Sequence, residues 1–141
     1  MSDIEPTGRA TVFVCITCRT AADLALLDAV DAAAPEPPRP GLILAEATAA
    51  AAANASDISV QRVRCLGNCG RGLSAAIRCD NAWTYVFGGL DAARDGLTLI
   101  TGARLLAGAA DGIMPWRNRP EPLKRGLIAR IPPNHFREES A

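Results

Sequence analysis

Four cysteines stand in two close pairs, and thiolates at such spacings bind metals. Two residues separate Cys15 from Cys18, and three separate Cys65 from Cys69. Thiolate sulfur is a soft ligand that suits zinc and iron–sulfur clusters. Each iron of a [2Fe–2S] cluster needs two protein ligands, so two pairs match two irons. The pattern predicts one metal centre on these four side chains, with a [2Fe–2S] cluster as the first candidate and zinc as the alternative.

The second pair lies in a glycine-rich loop that runs Cys65-Leu66-Gly67-Asn68-Cys69-Gly70-Arg71-Gly72. The three glycines allow positive φ and close backbone approach. Their N–H groups can then point at sulfur, which stabilises a reduced cluster. Positive charges near the ligands would favour the same form, and five arginines lie close to them in sequence: Arg19, Arg62, Arg64, Arg71 and Arg78.

The sequence before the second cysteine pair shows first a strand pattern and then two helix patterns. Residues 10–16 are β-branched and apolar on both faces, which predicts a buried strand inside a sheet. Apolar residues recur at helical spacing over 21–34, and the prolines of 35–40 predict a stiff extended connector. The alanine-rich segment 41–55 predicts a second helix.

Three strands and a helix are predicted to follow. The strands cover 58–66, 73–79 and 83–87, and Asp91 is the expected cap of a helix over about 92–109. The order strand-helix-helix-strand-strand-strand-helix is typical of an α/β sandwich of the thioredoxin kind. Both cysteine pairs follow strands, so both are expected at strand carboxyl ends, where sites in open α/β sheets lie.

The length of 141 residues predicts one domain with two flanking segments. We expect a flexible N-terminus over 1–9 and a thioredoxin-like metal-binding domain over 10–111. The segment 112–141 is rich in proline and arginine, and its pattern predicts an irregular tail that packs on the domain or extends from it. Trp116 is expected to pin this tail.

The ligand loop resembles that of a known class of proteins. The run Cys65-Leu66-Gly67-Asn68-Cys69-Gly70 is similar to the C-terminal ligand loop of thioredoxin-like [2Fe–2S] ferredoxins, including the corresponding subunit of NADH:quinone oxidoreductase. From Val14-Cys15-Ile16-Thr17-Cys18-Arg19 to Arg130-Ile131-Pro132, the chain resembles bacterial CxxC-containing metal-binding proteins, which are often encoded near cobalamin-biosynthesis genes. The resemblance implies a thioredoxin-like fold, a cluster on Cys15, Cys18, Cys65 and Cys69, and electron transfer. The first pair is more tightly spaced here than in those ferredoxins, which keeps zinc in consideration.

Composition and charge bear on the compartment of the protein and on the partners it binds. The formal net charge is zero, so nothing indicates a nucleic-acid surface. The N-terminus does not have the pattern of a signal peptide, and no stretch is long and apolar enough for a membrane span. We therefore expect a cytoplasmic protein that binds neither membrane nor nucleic acid. Five cysteines, an odd number, in a reducing compartment favour metal or redox chemistry over a disulfide framework.

These patterns predict an electron carrier that is not an enzyme. Its redox partner is not identifiable from sequence, and a homodimer is consistent with ferredoxins of this fold. The alternatives are a four-cysteine zinc protein, structural or metal-handling, and a dithiol–disulfide oxidoreductase that uses Cys15 and Cys18. Cys79 shares a strand face with apolar residues and is predicted to lie in the core. His135 is predicted to be a solvated tail residue.

Overall fold

The computed structural model describes residues 9–17, 39–134 and 136. The predicted helix over 21–34, together with Cys18, Arg19 and His135, lies outside the described residues. The elements are β1 (Ala10–Cys15), α1 (Pro40–Ala51), β2 (Ile58–Val63), a 3-10 turn (Cys69–Arg71), β3 (Ala75–Cys79), β4 (Thr84–Phe87), α2 (Asp95–Ala107), α3 (Glu121–Arg125) and β5 (Leu127–Ile131).

The strands form one sheet in the order β2-β1-β3-β4-β5. β1 pairs with β2 in parallel, in a register that aligns Cys15 with Val63. The other neighbours are antiparallel, and Val14 faces Ala75 across β1 and β3. The prediction that the first strand lies inside a sheet is therefore confirmed. Since β1 and β2 are parallel, the residues that follow them emerge at the same edge of the sheet.

Helices α1 and α2 pack against each other and against β1. The core between them and the sheet is formed by fully buried aliphatic side chains, including Val12, Val14, Leu44 and Ile100. Ala47 and Gly96 bring the two helix backbones together, because a Cβ atom on Gly96 would lie 2.8 Å from the carbonyl carbon of Ala47. This close packing suits a sequence rich in alanine.

Helices α1 and α2 both begin at a residue other than the expected one. The proline connector was expected to exclude helix through Pro40, yet Pro40 is the first residue of α1, a position where its fixed φ and missing N–H are tolerated. Asp91 was expected to cap α2, but the helix begins at Asp95 after Arg94, and Asp91 instead caps the turn that precedes it. Its Oδ1 accepts the N–H groups of Ala93 at 2.8 Å and Arg94 at 3.0 Å, while its own N–H donates to Asp95 at 2.7 Å.

The segment expected to be an irregular tail instead carries α3 and β5. β5 extends the sheet by pairing with β4, and it is an edge strand with three exposed residues at its end. The alternation that marks a half-buried strand is therefore missing from its sequence. Met114 and Leu123 are buried and anchor the segment, whereas Trp116 is 61% exposed. The expectation that Trp116 pins the tail is wrong.

Among the described residues, no helix combines the length and apolar character needed to cross a bilayer.

Candidate metal centre

The parallel pairing of β1 and β2 brings Cys15 next to the residue that precedes Cys65. Cys15 ends β1 and is 2% exposed. Its Sγ atom lies 3.4 Å from the main-chain oxygen of Arg64, and the Thr17 hydroxyl donates to that same oxygen. The Ile16 N–H also donates to the carbonyl of Val63 at 2.8 Å, which carries the pairing past the end of the strands.

This contact limits the distance between the two sulfur atoms. With standard bond lengths on the path from the Arg64 oxygen to the Cys65 sulfur, the sulfurs of Cys15 and Cys65 are at most roughly 9 Å apart. A separation well above ~10 Å would exclude a shared two-iron centre held by metal–sulfur bonds. The two cysteines therefore fit one centre.

The Cys65 sulfur accepts a hydrogen bond from within its own loop. The N–H of Gly67 donates to Cys65 Sγ at 3.1 Å, and Gly67 has φ +74°, a conformation that glycine adopts without strain. This is the N–H to sulfur bond expected of the glycine-rich loop. Gly72 has φ −67°, and Gly70 likewise does not adopt positive φ, so of the three loop glycines only Gly67 uses that freedom.

Asn68 and Ser74 fix the loop from inside, and sequence reasoning did not single them out. The side-chain amide of Asn68 donates to the Ser74 hydroxyl at 2.9 Å, and the Arg71 N–H donates to the Asn68 carbonyl at 3.0 Å. The Cys15 N–H donates to the Ser74 carbonyl at 3.1 Å. Ser74 is fully buried and so connects the Cys15 strand to the second cysteine loop. Asparagine and glycine are typical turn residues, so Asn68 in this glycine-rich loop could have indicated the turn in advance.

The loop also packs on the end of β4. The Gly89 N–H donates to the Arg71 carbonyl at 2.7 Å. A Cβ atom on Gly88 would lie 2.6 Å from that carbonyl oxygen and 2.7 Å from the side-chain nitrogen of Asn68. Glycine at position 88 is therefore required for this approach, and the loop is held from two sides.

The structure describes the side chains of two of the four predicted ligands. Cys15 and Cys65 are brought together at the sheet edge. The main chain of Cys69, four residues after Cys65, begins the 3-10 turn. Cys18 lies outside the described residues. Over the residues whose side chains are described, no three His, Cys, Asp or Glu groups gather at one point. The fit to a metal centre therefore rests on Cys15 and Cys65, one cysteine from each close pair.

The arginines near the ligands divide into two groups. Arg62, Arg64 and Arg71 are exposed: the first lies on β2, the second directly precedes Cys65, and the third lies in the second cysteine loop. Arg78 is close to the ligands in sequence but not in the sheet: it pairs with Thr11 near the amino end of β1 and stacks on Phe13, 4.9 Å from the ring centroid. Segment 58–72 holds three arginines and no carboxylate, so the stretch of chain that carries Cys65 and Cys69 is basic.

Cys79 lies at the far end of the sheet from the cysteine edge. It pairs with Ala10, at the amino end of β1, and is 5% exposed. Burial, and next the negative charge of Asp80, raise the pKa of its thiol. The prediction that Cys79 belongs to the core is confirmed.

Residues 12–133 match a protein family described as "Protein of unknown function (DUF1636)". The chain belongs to this family. No curated protein matches the sequence. A solved structure that resembles the chain is the thioredoxin-like [2Fe–2S] ferredoxin from Aquifex aeolicus. Its TM-score is 0.50 at 17% identity, and the match covers 91% of this chain and 98% of that one.

The likeness to the ferredoxin shows a thioredoxin-like fold for this member of the family. It extends over nearly all of both chains. At such low identity it supports the fold alone. The assignment of chemistry depends on the residues at the site.

Proposed function

We propose that this protein is a small electron carrier that holds one [2Fe–2S] cluster on Cys15, Cys18, Cys65 and Cys69, and that it is not an enzyme. The observation that carries the proposal is the contact between the Cys15 sulfur and the carbonyl of Arg64, which joins two cysteine-bearing segments far apart in sequence. The resemblance of fold to a [2Fe–2S] ferredoxin supports it.

The chain's own residues have distinct tasks in this proposal. The cluster supplies a one-electron couple when bound. The Gly67 N–H donates to the Cys65 sulfur and stabilises negative charge on it. Burial shields Cys15 from water, whereas Cys65 is exposed and marks the side through which electrons reach a partner. Asn68 and Ser74 hold the loop in one conformation, so little reorganisation accompanies electron transfer.

A dithiol–disulfide mechanism on Cys15 and Cys18 is less consistent with the site. Thiol exchange needs a thiolate that is accessible to a second disulfide. Cys15 is 2% exposed and its sulfur lies against the Arg64 carbonyl oxygen, so a second disulfide has little access to it. Such a mechanism also leaves the second cysteine pair without a role.

Zinc is the second candidate, because the two-residue spacing of Cys15 and Cys18 is common in four-cysteine zinc sites. In that case the same residues would staple the domain or carry metal to a recipient, a role in keeping with the CxxC proteins that the sequence resembles. In either case we propose a cytoplasmic protein with a protein partner, and a homodimer is the proposed assembly.

The experiment is an absorption spectrum with iron, sulfide and zinc analysis on anaerobically purified full-length protein. The proposal expects a red-brown protein with two irons and two sulfides per chain, and an electron paramagnetic resonance signal after one-electron reduction. Colourless protein with stoichiometric zinc would reject the cluster in favour of zinc. Protein that holds neither metal would reject both.

A further inference from the structure

An open cavity of about 700 Å³ lies against β4 and β5, away from the cysteine edge. Its size is typical of a small-molecule site. The wall is mostly apolar and includes Ile113, Trp116 and Leu127, while two arginines, Arg119 and Arg130, also line it. We propose that this cavity binds a small apolar anion of the aromatic carboxylate class, with the charged group on the two arginines.

Arg119 is the feature that points to an anion. Only 8% of the residue is exposed. Its Nε donates to the Pro115 carbonyl at 3.1 Å, and one terminal nitrogen donates to the Met114 carbonyl. The guanidinium carbon lies 5.6 Å from the Tyr85 ring centroid and 5.1 Å from that of Trp116. Arg119 also has a side-chain hydrogen bond with Tyr85. Since a guanidinium has five N–H donors, these three partners leave donors for a further acceptor.

No carboxylate among the described residues neutralises this buried charge. The ion pairs among residues 9–17, 39–134 and 136 are Arg94 with Asp91 and Arg125 with Glu121, and neither involves Arg119 or Arg130. Burial lowers the pKa of Arg119; Tyr85 acts against this shift, and the nearby charge of Arg130 adds to it. A buried charge is costly unless it is paired. A bound anion would offset that cost.

Arg130 supplies a second cation on the same face. It lies directly opposite Tyr85 in the β4–β5 register, so the two side chains project from one side of the sheet. Its guanidinium stacks on Trp83, 4.3 Å from the ring centroid. Asp111 also lines the cavity, but it is exposed and its carboxylate accepts the Ile113 N–H at 3.0 Å. The lining therefore keeps a net positive charge.

The apolar wall selects the body of the ligand. A simple inorganic anion would leave Ile113, Leu127 and the indole of Trp116 exposed, whereas an aromatic ring would cover them. The charged group and the ring thus have separate partners, and affinity requires both. This site uses none of the cysteines, so it is independent of the metal centre.

Isothermal titration calorimetry on the full chain tests the proposal with three probes: 1-naphthoate, its neutral analogue 1-naphthalenemethanol, and inorganic phosphate. Naphthoate is expected to bind at least about tenfold more tightly than either other probe, because only it satisfies both the arginines and the apolar wall. Equal binding of the neutral analogue, phosphate binding as tight as that of naphthoate, or the absence of naphthoate binding at millimolar concentration would each overturn the proposal.

Variants locate the binding. Arg119→Gln and Arg130→Gln are each expected to weaken naphthoate binding by roughly tenfold or more. Arg117→Gln is the matched control, since Arg117 is exposed and does not line the cavity. Arg119 also holds two main-chain carbonyls, so its variant can fail to fold, whereas exposed Arg130 permits the test in a folded protein. Naphthoate binding that is unchanged in Arg130→Gln, or equally weakened in Arg117→Gln, would refute the site.

Discussion

The sulfur atom of Cys15 lies 3.4 Å from the main-chain oxygen of Arg64, across 49 positions of sequence. The parallel register of β1 and β2 sets this distance, because it aligns Cys15 with Val63. A sheet is more rigid than a loop, and this strand pairing needs no metal to set where the two cysteine segments meet. We therefore expect the apoprotein to keep its fold.

Replacing Cys65 with serine is expected to remove the metal while leaving the fold intact. Cys65 is exposed, so the substitution creates no cavity. The Cys65→Ser variant should lose most of its iron and sulfide, or its zinc, and retain the circular dichroism spectrum of the parent protein. Metal analysis on protein purified in parallel provides the measurement.

Cys79→Ala is the matched control for that experiment. Cys79 lies in the core at the far end of the sheet, opposite Ala10. The Cys79→Ala variant should therefore retain its full metal content. If Cys79→Ala lost the metal and Cys65→Ser kept it, the assignment of the ligands would be wrong.

Local signals predicted much of this fold from the sequence. The apolar run at 10–16 indicated the interior strand β1, and the alternation through Cys79 indicated β3 with a buried thiol. The spacing within each cysteine pair also predicts a shared metal site, which stays a prediction for Cys18 and Cys69. All of these depend on contacts or periodicities between near neighbours in sequence.

The features that the sequence did not reveal depend on tertiary context. β5 has an edge position with three exposed residues, and therefore it shows no alternation to recognise. Trp116 is the largest apolar residue of its segment, yet Leu123 occupies the core in its place. The link from Asn68 to Ser74 likewise depends on β3 returning beside the loop, which residue types alone do not specify.

Gly67→Ala is expected to destabilise the protein by about 1 kcal/mol. A Cβ atom at position 67 meets no other atom within 4 Å, so the cost comes from φ +74°, which disfavours L-residues by roughly 1–2 kcal/mol. Urea unfolding of the metal-free protein measures this change. Gly70→Ala is the control from the same loop, because it also meets open space but lacks positive φ. Equal destabilisation by both variants would contradict the account.

Leu123→Ala is expected to lower the free energy of unfolding by about 2–5 kcal/mol, as for other buried leucines. Leu123 is fully buried, and its side chain packs directly over Gly102 of α2. Trp116→Ala should cost far less, since Trp116 is 61% exposed, and its ring stacks on the cationic groups of Arg119 and Lys124. Chemical denaturation of the two variants measures both. A larger loss for Trp116→Ala would show that the tryptophan anchors this segment after all.

The raised pKa of Cys79 predicts a stability that falls at alkaline pH. Burial first, and then the charge of Asp80, favour the neutral thiol in the folded state. The folded protein therefore holds this proton more tightly than the unfolded chain, in which a cysteine titrates near 8.5. The stabilisation is fully present below that pH, and it is lost as pH rises through the higher folded value.

Comparison of the parent protein with Cys79→Ala isolates this effect from other alkaline titrations. The difference in free energy of unfolding between them should be constant from pH 6 to about 8 and then shift in favour of Cys79→Ala as pH rises further. Urea titrations at a series of pH values provide the measurement. Thiol-labelling rates give a second readout, because buried Cys79 should react far more slowly than exposed Cys65 in the metal-free protein. A pH-independent difference, together with rapid labelling of Cys79, would mean that this thiol is neither buried nor shifted in solution.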